Sequence, residues 1–258
     1  MKGKNKPKRI KASARSLSVL EALMTLGQAS ETEISEHLDM AKSTTHYHLT
    51  TLASHEFVVK EGADYRLSMR FLNMGHSTID QLDIYQVGKH KIDQLAKETG
   101  ELCILMIEER GYGYYVYDAQ GTNAVNFDTT GSQKYLHDNA LGKSVLAHLP
   151  AERIDKIIDH HGLPATTPHT ITDRSKLEAE LETIRERDIA FDREEQLEGL
   201  CCVATAIQPS NEDGSKGVYG SISIAGPASR MKGDYFTENL AMAVSDTANL
   251  IELEMRDY

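Results

Sequence analysis

A chain of 258 residues that is 40% hydrophobic has enough apolar surface for one large core or two modest ones. No apolar run is long enough to cross a bilayer, and no signal-like hydrophobic stretch follows the basic start, which points to a cytoplasmic protein. Three cysteines, Cys103 and the neighbours Cys201 and Cys202, form no C-x-x-C pair and no disulfide framework, in keeping with a reducing compartment.

The net charge of −11 argues against nucleic acid only if it is spread evenly, and it is not. Residues 1–78 hold 11 Lys and Arg against 8 Asp and Glu, a net of +3, while the remainder holds 17 against 31, a net of −14. Most of the N-terminal excess lies in KGKNKPKRIK, Lys2 to Lys11. Residues 1–12 are read as a flexible basic arm, suited to phosphate contact beside a helical DNA reader.

RSLSVLEALMTL predicts a helix from Ser16, with Leu17, Leu20, Leu23, Met24 and Leu26 along one face and Gly27 as its end. Ser30 and Glu33 have capping-box spacing, which starts a second helix with Ile34 and Leu38 inward. A turn at Met40 and Ala41 leads into a third, capped by Ser43 and running to about Ser54, with Thr45, Leu49 and Leu52 inward. EFVVKEGADYRLSM then reads as a hairpin: Phe57 to Val59, a turn from Glu61 to Asp64, and a return from Tyr65 to Leu67.

Three short helices and a two-stranded wing make a winged helix-turn-helix over residues 13–72. The outward face of the third helix is then Lys42, Ser43, Thr44, His46, Tyr47 and Thr50. Short hydroxyl and imidazole side chains in place of the usual Glu and Lys let a helix approach DNA closely. Lys42 is placed for a phosphate, and Thr44, His46 and Tyr47 for base edges. His46 and His48 diverge around the helix, so no metal is expected there.

Residues 73–98 read as a helical linker and dimerisation segment, with Leu72, Ile79, Leu82, Tyr85, Ile92 and Leu95 as apolar positions and bends at Gly75 and Gly88. From residue 99 strands alternate with helices. LCILMIEE and GYGYYVYDA are strands; Ala140 to His148, AERIDKIIDHHG and DRSKLEAELETIRER are helices, the last with Leu177, Leu181 and Ile184 inward. IAFD, CCVATAIQ and VYGSISIAGP are three further strands before a helix from about Tyr235 to Met255. The fold class is α+β, with the second domain, residues 99–258, built around an antiparallel sheet.

These residues resemble the IclR-type transcriptional regulators over nearly the whole chain after the arm. The resemblance is carried by RSLSVLEAL, TEISEHLDMAKSTTHYHLTTL, YRLSMRFLNMG, LHDNALGKSVLAHLP, FDREEQLEGLCCVATAIQPS and GSISIAGPASRM. It implies a prokaryotic, homo-oligomeric regulator, dimer or tetramer, with a GAF-like effector domain behind the DNA reader. The partners it implies are an operator in double-stranded DNA and a small effector: an organic acid, an aromatic or a sugar-derived compound.

The same resemblance places the effector against Ala140 and Leu141 at a helix start, Asp192 and Cys202, and Ser221 and Ser223. One departure is that the family often has Arg where this chain has Tyr47, which cannot make a bidentate guanine contact. Taken alone, Asp192 among Arg193, Glu194 and Glu195 reads more readily as a solvated charge cluster, and Cys202 as a small buried hydrophobe.

Two other readings compete: an assembly or ligand-sensing module that binds no DNA, and a cysteine hydrolase pairing Cys201 or Cys202 with His137, His148, His160 or His161. The hydrolase lacks a nucleophile elbow or any reason for a depressed thiol pKa. No catalytic residue, metal or cofactor is expected.

Overall fold

The computed structural model describes residues 10–125, 130–209 and 217–257, and the basic arm up to Arg9 lies outside the described residues. The chain divides into two compact units, one ending at Ile79 and the other beginning at Asp80.

In the first unit, α1 (Lys11–Leu26) starts ahead of Ser16 and ends on Gly27, whose N–H reaches the Leu23 carbonyl. Its inward residues are Val19, Ala22 and Leu23; Leu17, Met24 and Leu26 are exposed. The expected apolar stripe is therefore rotated. This small core admits only a narrow face, and Val19, Ala22 and Leu23 at i, i+3, i+4 supply it. The short strand β1 (Gln28–Ser30) follows, a piece too short to leave a period in the sequence.

Helix α2 (Glu31–His37) has the full capping box: Glu33 N–H donates to Ser30 Oγ at 3.3 Å, and Ser30 N–H to Glu33 Oε2 at 2.8 Å. Hydrogen bonds from the Ser30 side chain and backbone hold the Glu33 carboxyl below its usual range. Asp39, at φ 46°, makes the turn. Helix α3 (Lys42–Ser54) begins with Ala41, whose carbonyl accepts from the N–H groups of Thr44 and Thr45. Ser43 is thus inside the first turn and is not the cap. Thr45, Leu49 and Leu52 are buried, as their spacing predicts.

The wing is β2 (Val58–Glu61) and β3 (Asp64–Leu67), paired antiparallel, with β1 on the other edge of β3. The unit ends with α4 (Arg70–Ile79), which buries none of its residues.

The second unit opens with α5 (Asp83–Thr99). Gly75 and Gly88 do not bend the chain; both lie inside helices, and the break falls at residues 80–82. At Gly88 the reason is close packing, since a Cβ would come within 3.2 Å of Leu105 Cδ2.

Six strands follow: β4 (Leu102–Glu109), β5 (Tyr112–Gln120), β6 (Gln133–Tyr135), β7 (Ala190–Arg193), β8 (Leu200–Ile207) and β9 (Gly220–Pro227). They form one antiparallel sheet in the order β6-β5-β4-β9-β8-β7. Between β6 and β7 run α6 (Ala140–His148), α7 (Ala151–His161) and α8 (Arg174–Arg187); a π-helical turn at Tyr235–Asn239 leads into α9 (Leu240–Glu254).

Helices cover both faces of this sheet. Cys103, Leu105, Val203 and Ile222 join Ile92 of α5 and Val244 of α9 in one core. Leu102, Ile104, Cys202 and Ala204 join Leu141 of α6 and Leu177 of α8 in the other. Two-sided burial is why LCILMI and LCCVATAI read as unbroken apolar runs instead of alternating. At Gly142 a Cβ would lie 2.3 Å from the Leu136 carbonyl, so α6 packs there only as glycine.

Replacing Ser30 by Ala removes one bond of the capping box. It should destabilise the first unit by about 1 kcal/mol, read as a lower urea midpoint at unchanged slope.

Candidate nucleic-acid interface and ligand cavity

On α3, Ser43, His46, Tyr47 and Thr50 are spaced i, i+3, i+4, i+7, and all four are exposed. Lys42 borders this stripe at the helix start, and Thr44 is half-buried beside it. Tyr47 is 73% exposed. All six residues predicted for the reading face thus belong to the first turns of one helix.

Several of the polar side chains are held from behind. Lys42 Nζ donates to Thr32 Oγ1 of α2 at 2.9 Å, and His46 Nδ1 lies 2.9 Å from Glu31 Oε2 of the same helix. His48 turns the other way, with Nδ1 2.9 Å from Ser16 Oγ of α1. The two histidines are thus committed to opposite sides of α3. On the wing, Arg66 Nε and Nη2 bind Glu61 Oε1, and Lys60 stacks over the Tyr65 ring. Glu31 and Thr32 escaped the sequence reading, because nothing in their local pattern says which helix they face.

The other candidate site lies between the start of α6 and the inner face of the sheet. Asn139 caps α6 by accepting from Gly142 N–H at 2.9 Å, and its amide donates to the Tyr135 carbonyl and to Asp138. A cavity of about 10 Å³ lies there, with Ala140, Leu141, Cys202 and Ser223 in its wall. That is room for about one water. Tyr115 and Gln196 complete the wall, 3.2 Å apart from Nε2 to hydroxyl, and neither was singled out from the sequence.

Asp192 and Ser221 do not line the cavity but share its sheet face. Asp192 pairs with Cys202 across β7 and β8, and Ser221 lies two residues before Ser223 on β9. Asp192 is fully buried, which removes the solvated-cluster reading. Its Oδ1 accepts from Glu195 N–H at 2.7 Å, while among the described residues Oδ2 and the hydroxyls of Ser221 and Ser223 have no partner. Desolvation, offset in part by that Glu195 bond, pushes the Asp192 carboxyl up to about 7.

Further along α6, Lys143 is wholly buried and donates to both carboxylate oxygens of Glu195, at 2.7 and 2.8 Å, and to Glu180 at 3.3 Å. This residue also went unnoticed in the sequence. It lies in an otherwise apolar helix, ALGKSVLAH, where a lysine normally marks the solvent side.

The cysteines are built as core. Cys201 and Cys202 point to opposite faces of β8, into different clusters. Burial raises the thiol pKa of Cys103, Cys201 and Cys202 alike, the reverse of what a nucleophile needs. Among the candidate bases, His137 Nε2 and His161 Nε2 each lie 3.0 Å from a backbone carbonyl, and His148 faces Asp188. Among the described residues, no helix is long and apolar enough to cross a membrane.

Comparison with known proteins matches residues 12–62 to the IclR helix-turn-helix domain and residues 76–253 to the C-terminal domain of bacterial IclR transcriptional regulators. The chain belongs to the IclR family. This family regulates transcription by binding DNA, not by catalysis, with a C-terminal domain that binds effectors.

Among relatives of this IclR-family regulator, the probable HTH-type transcriptional regulator ArcR of Halobacterium salinarum is 27% identical over 256 residues, covering 96% of this chain and 95% of its own. The HTH-type transcriptional repressor AllR of Klebsiella pneumoniae is 30% identical, over 86% of this chain and 82% of its own. An IclR homologue from Microbacterium hydrocarbonoxydans, solved in complex with 4-hydroxybenzoate, shares the fold: TM-score 0.79 at 19% identity, covering 96% of this chain and all of that one.

The raised Asp192 pKa fixes a sign for stability against pH. The folded chain holds this proton up to about 7, whereas the group titrates at 3.8 when unperturbed. The stabilisation is therefore complete below the unfolded pKa and is lost as pH rises through the folded one. Asp192→Asn keeps the acceptor for Glu195 N–H and removes the titration. It should flatten the stability profile between about pH 4 and 7 and stabilise the protein at pH 8, by up to about 4 kcal/mol, measured by denaturant unfolding across that range.

Proposed function

We propose that the exposed face of α3 reads an operator, with Lys42 on a phosphate and Ser43, Thr44, His46, Tyr47 and Thr50 towards base edges and sugar-phosphate oxygens. The observation that carries this is the stripe of short polar groups on α3, its lysine and imidazole held in place by α2. The basic arm adds phosphate affinity, and the net negative charge after residue 78 keeps DNA to the N-terminal end. The working arrangement is an arm to residue 12, a reader over 13–72, a linker to 98 and an effector domain beyond. The protein works in the cytoplasm.

The reader works as a homodimer or higher oligomer. Ile10, the N-cap of α1, and Leu17 and Met24 within it are exposed at seven-residue spacing, and Met69, Leu72 and Met74 are exposed at and along α4. An apolar surface of this kind suits a second copy. Two-fold pairing presents two equivalent α3 helices, which calls for a palindromic operator.

The effector enters at the cavity beside Ala140, Leu141, Cys202 and Ser223, with Asp192 and Ser221 behind them. Two hydroxyl donors and a carboxyl that holds its proton near neutrality suit an acidic or hydroxylated small molecule, in an otherwise apolar wall. Organic acids and aromatics are the class; the relative bound to 4-hydroxybenzoate belongs to it. A pocket sized for one water must open to admit such a ligand, and that opening is the conformational change coupled to operator affinity. Equal operator affinity with and without a bound ligand would sink this coupling.

Selection of bound duplexes from random DNA by the purified protein, over a range of salt, tests the reader. An enriched palindrome with steep salt dependence is expected. Tyr47→Ala should lower affinity for it by about tenfold and relax the base preference, whereas Lys42→Ala should weaken all sequences alike and reduce the salt slope by about 1. No enrichment at any salt, with tolerance of both substitutions, would point to an assembly module.

A further inference from the structure

Glu31 is the first residue of α2, and its side chain is only 21% exposed. Its Oε2 faces Nδ1 of His46 at 2.9 Å. An ionised carboxylate has lone pairs and no proton, so the proton in this bond belongs to Nδ1. A neutral imidazole carries only one ring proton, and holding it on Nδ1 leaves Nε2 with a bare lone pair. The His46 side chain is still 53% exposed. With Nδ1 turned to Glu31, the open part of the ring is the edge that carries Nε2.

We propose that Glu31 is a positioning residue that makes His46 a hydrogen-bond acceptor in the major groove, so that it selects a base bearing an exocyclic amine. Adenine presents its N6 amine there and cytosine its N4 amine; guanine and thymine present oxygens that an acceptor repels. At the base pair met by His46, adenine or cytosine is therefore preferred on the nearer strand. This rests on α3 being the reading helix.

The surroundings assign the other task, phosphate contact, elsewhere. Lys42 lies one turn before His46 on the same side of α3 and is braced by Thr32, so a cation that needs no base partner is already present. Glu31 itself would repel a phosphate brought close to the His46 ring. A second histidine, His48, is bound to Ser16 on the other side of the helix and leaves this task to His46.

The test is selection of bound sequences from random duplexes by the full-length chain at about pH 8, above the usual imidazole range. Wild type should enrich adenine or cytosine on one strand at one position of each half-site. His46→Ala should lose the preference at that position and keep the rest of the motif. In Glu31→Gln the amide can donate to Nδ1 as well as accept from it, so both tautomers are allowed and the preference should fall about three- to tenfold.

An independent arm keeps the protein wild type and changes the DNA. Replacing the preferred base by its analogue without the exocyclic amine, purine for adenine or 2-pyrimidinone for cytosine, should weaken wild-type binding about three- to tenfold and leave His46→Ala unaffected. An unchanged motif in His46→Ala would overturn the inference while leaving the reader intact. So would a loss uniform over all sequences with a shallower salt slope, which marks a phosphate contact. Failure of the wild-type chain to enrich any sequence would overturn the reader and this inference with it.

Discussion

The ammonium of Lys143 has no access to water, and the second unit is arranged around satisfying it. Both carboxylate oxygens of Glu195 answer it, with Glu180 at the margin. Losing one member of such a pair costs about 3–5 kcal/mol, because the other is left charged in a dry interior. Glu195 is therefore a fixed point. Its carbonyl accepts from the hydroxyls of Thr167 and Thr170, and its N–H holds Asp192 Oδ1. Gln196, the next residue, is carried to the cavity wall against Tyr115.

Two ion pairs that share one ammonium thus tie α6, α8, the connection from β7 to β8 and the buried carboxyl into a single polar layer. Low polarity raises the worth of each satisfied bond there and the cost of each unsatisfied one. Among the described residues Asp192 Oδ2 and the hydroxyls of Ser221 and Ser223 are without a partner, all on the face that looks toward α6. A small cavity with leftover hydrogen-bonding capacity beside it is a state that a suitable ligand stabilises. On the opposite face α5 and α9 pack against Cys103, Leu105, Val203 and Ile222, and the buried Glu101 carboxylate is answered by Arg230 Nε and Nη2, both at 2.6 Å.

The reader uses the same device at its surface. Side chains on α3 are made useful by what holds them from behind: Thr32 for Lys42, and Glu31 for His46. The capping box at Ser30 and Glu33 sets where α2 begins and hence where Glu31 and Thr32 stand. Elements with strong local signals were legible in the sequence for this reason. The capping box, the heptad-like burial of Leu177, Leu181 and Ile184 in α8, and the inward Thr45, Leu49 and Leu52 of α3 each follow from spacing alone. The strands β1 and β6, three residues each, leave no such spacing and exist only because β3 and β5 lie beside them.

From the sequence alone came the winged helix-turn-helix, the α+β class, the polar face of α3 and the split of charge along the chain, since each rests on periodicity, capping or composition within a short window. Tertiary structure decided the rest. It turned Val19 and Ala22 of α1 inward in place of Leu17 and Met24, kept Gly88 for its closeness to Leu105 and not for a bend, buried Asp192 where its charged neighbours suggested solvent, and buried the ammonium of Lys143. The deciding partners are distant along the chain: Leu105 for Gly88, Glu195 for Lys143 and, on the reader, Glu31 for His46. A side chain's charge state, exposure and hydrogen-bonding direction belong to that partner, and local pattern carries no trace of it.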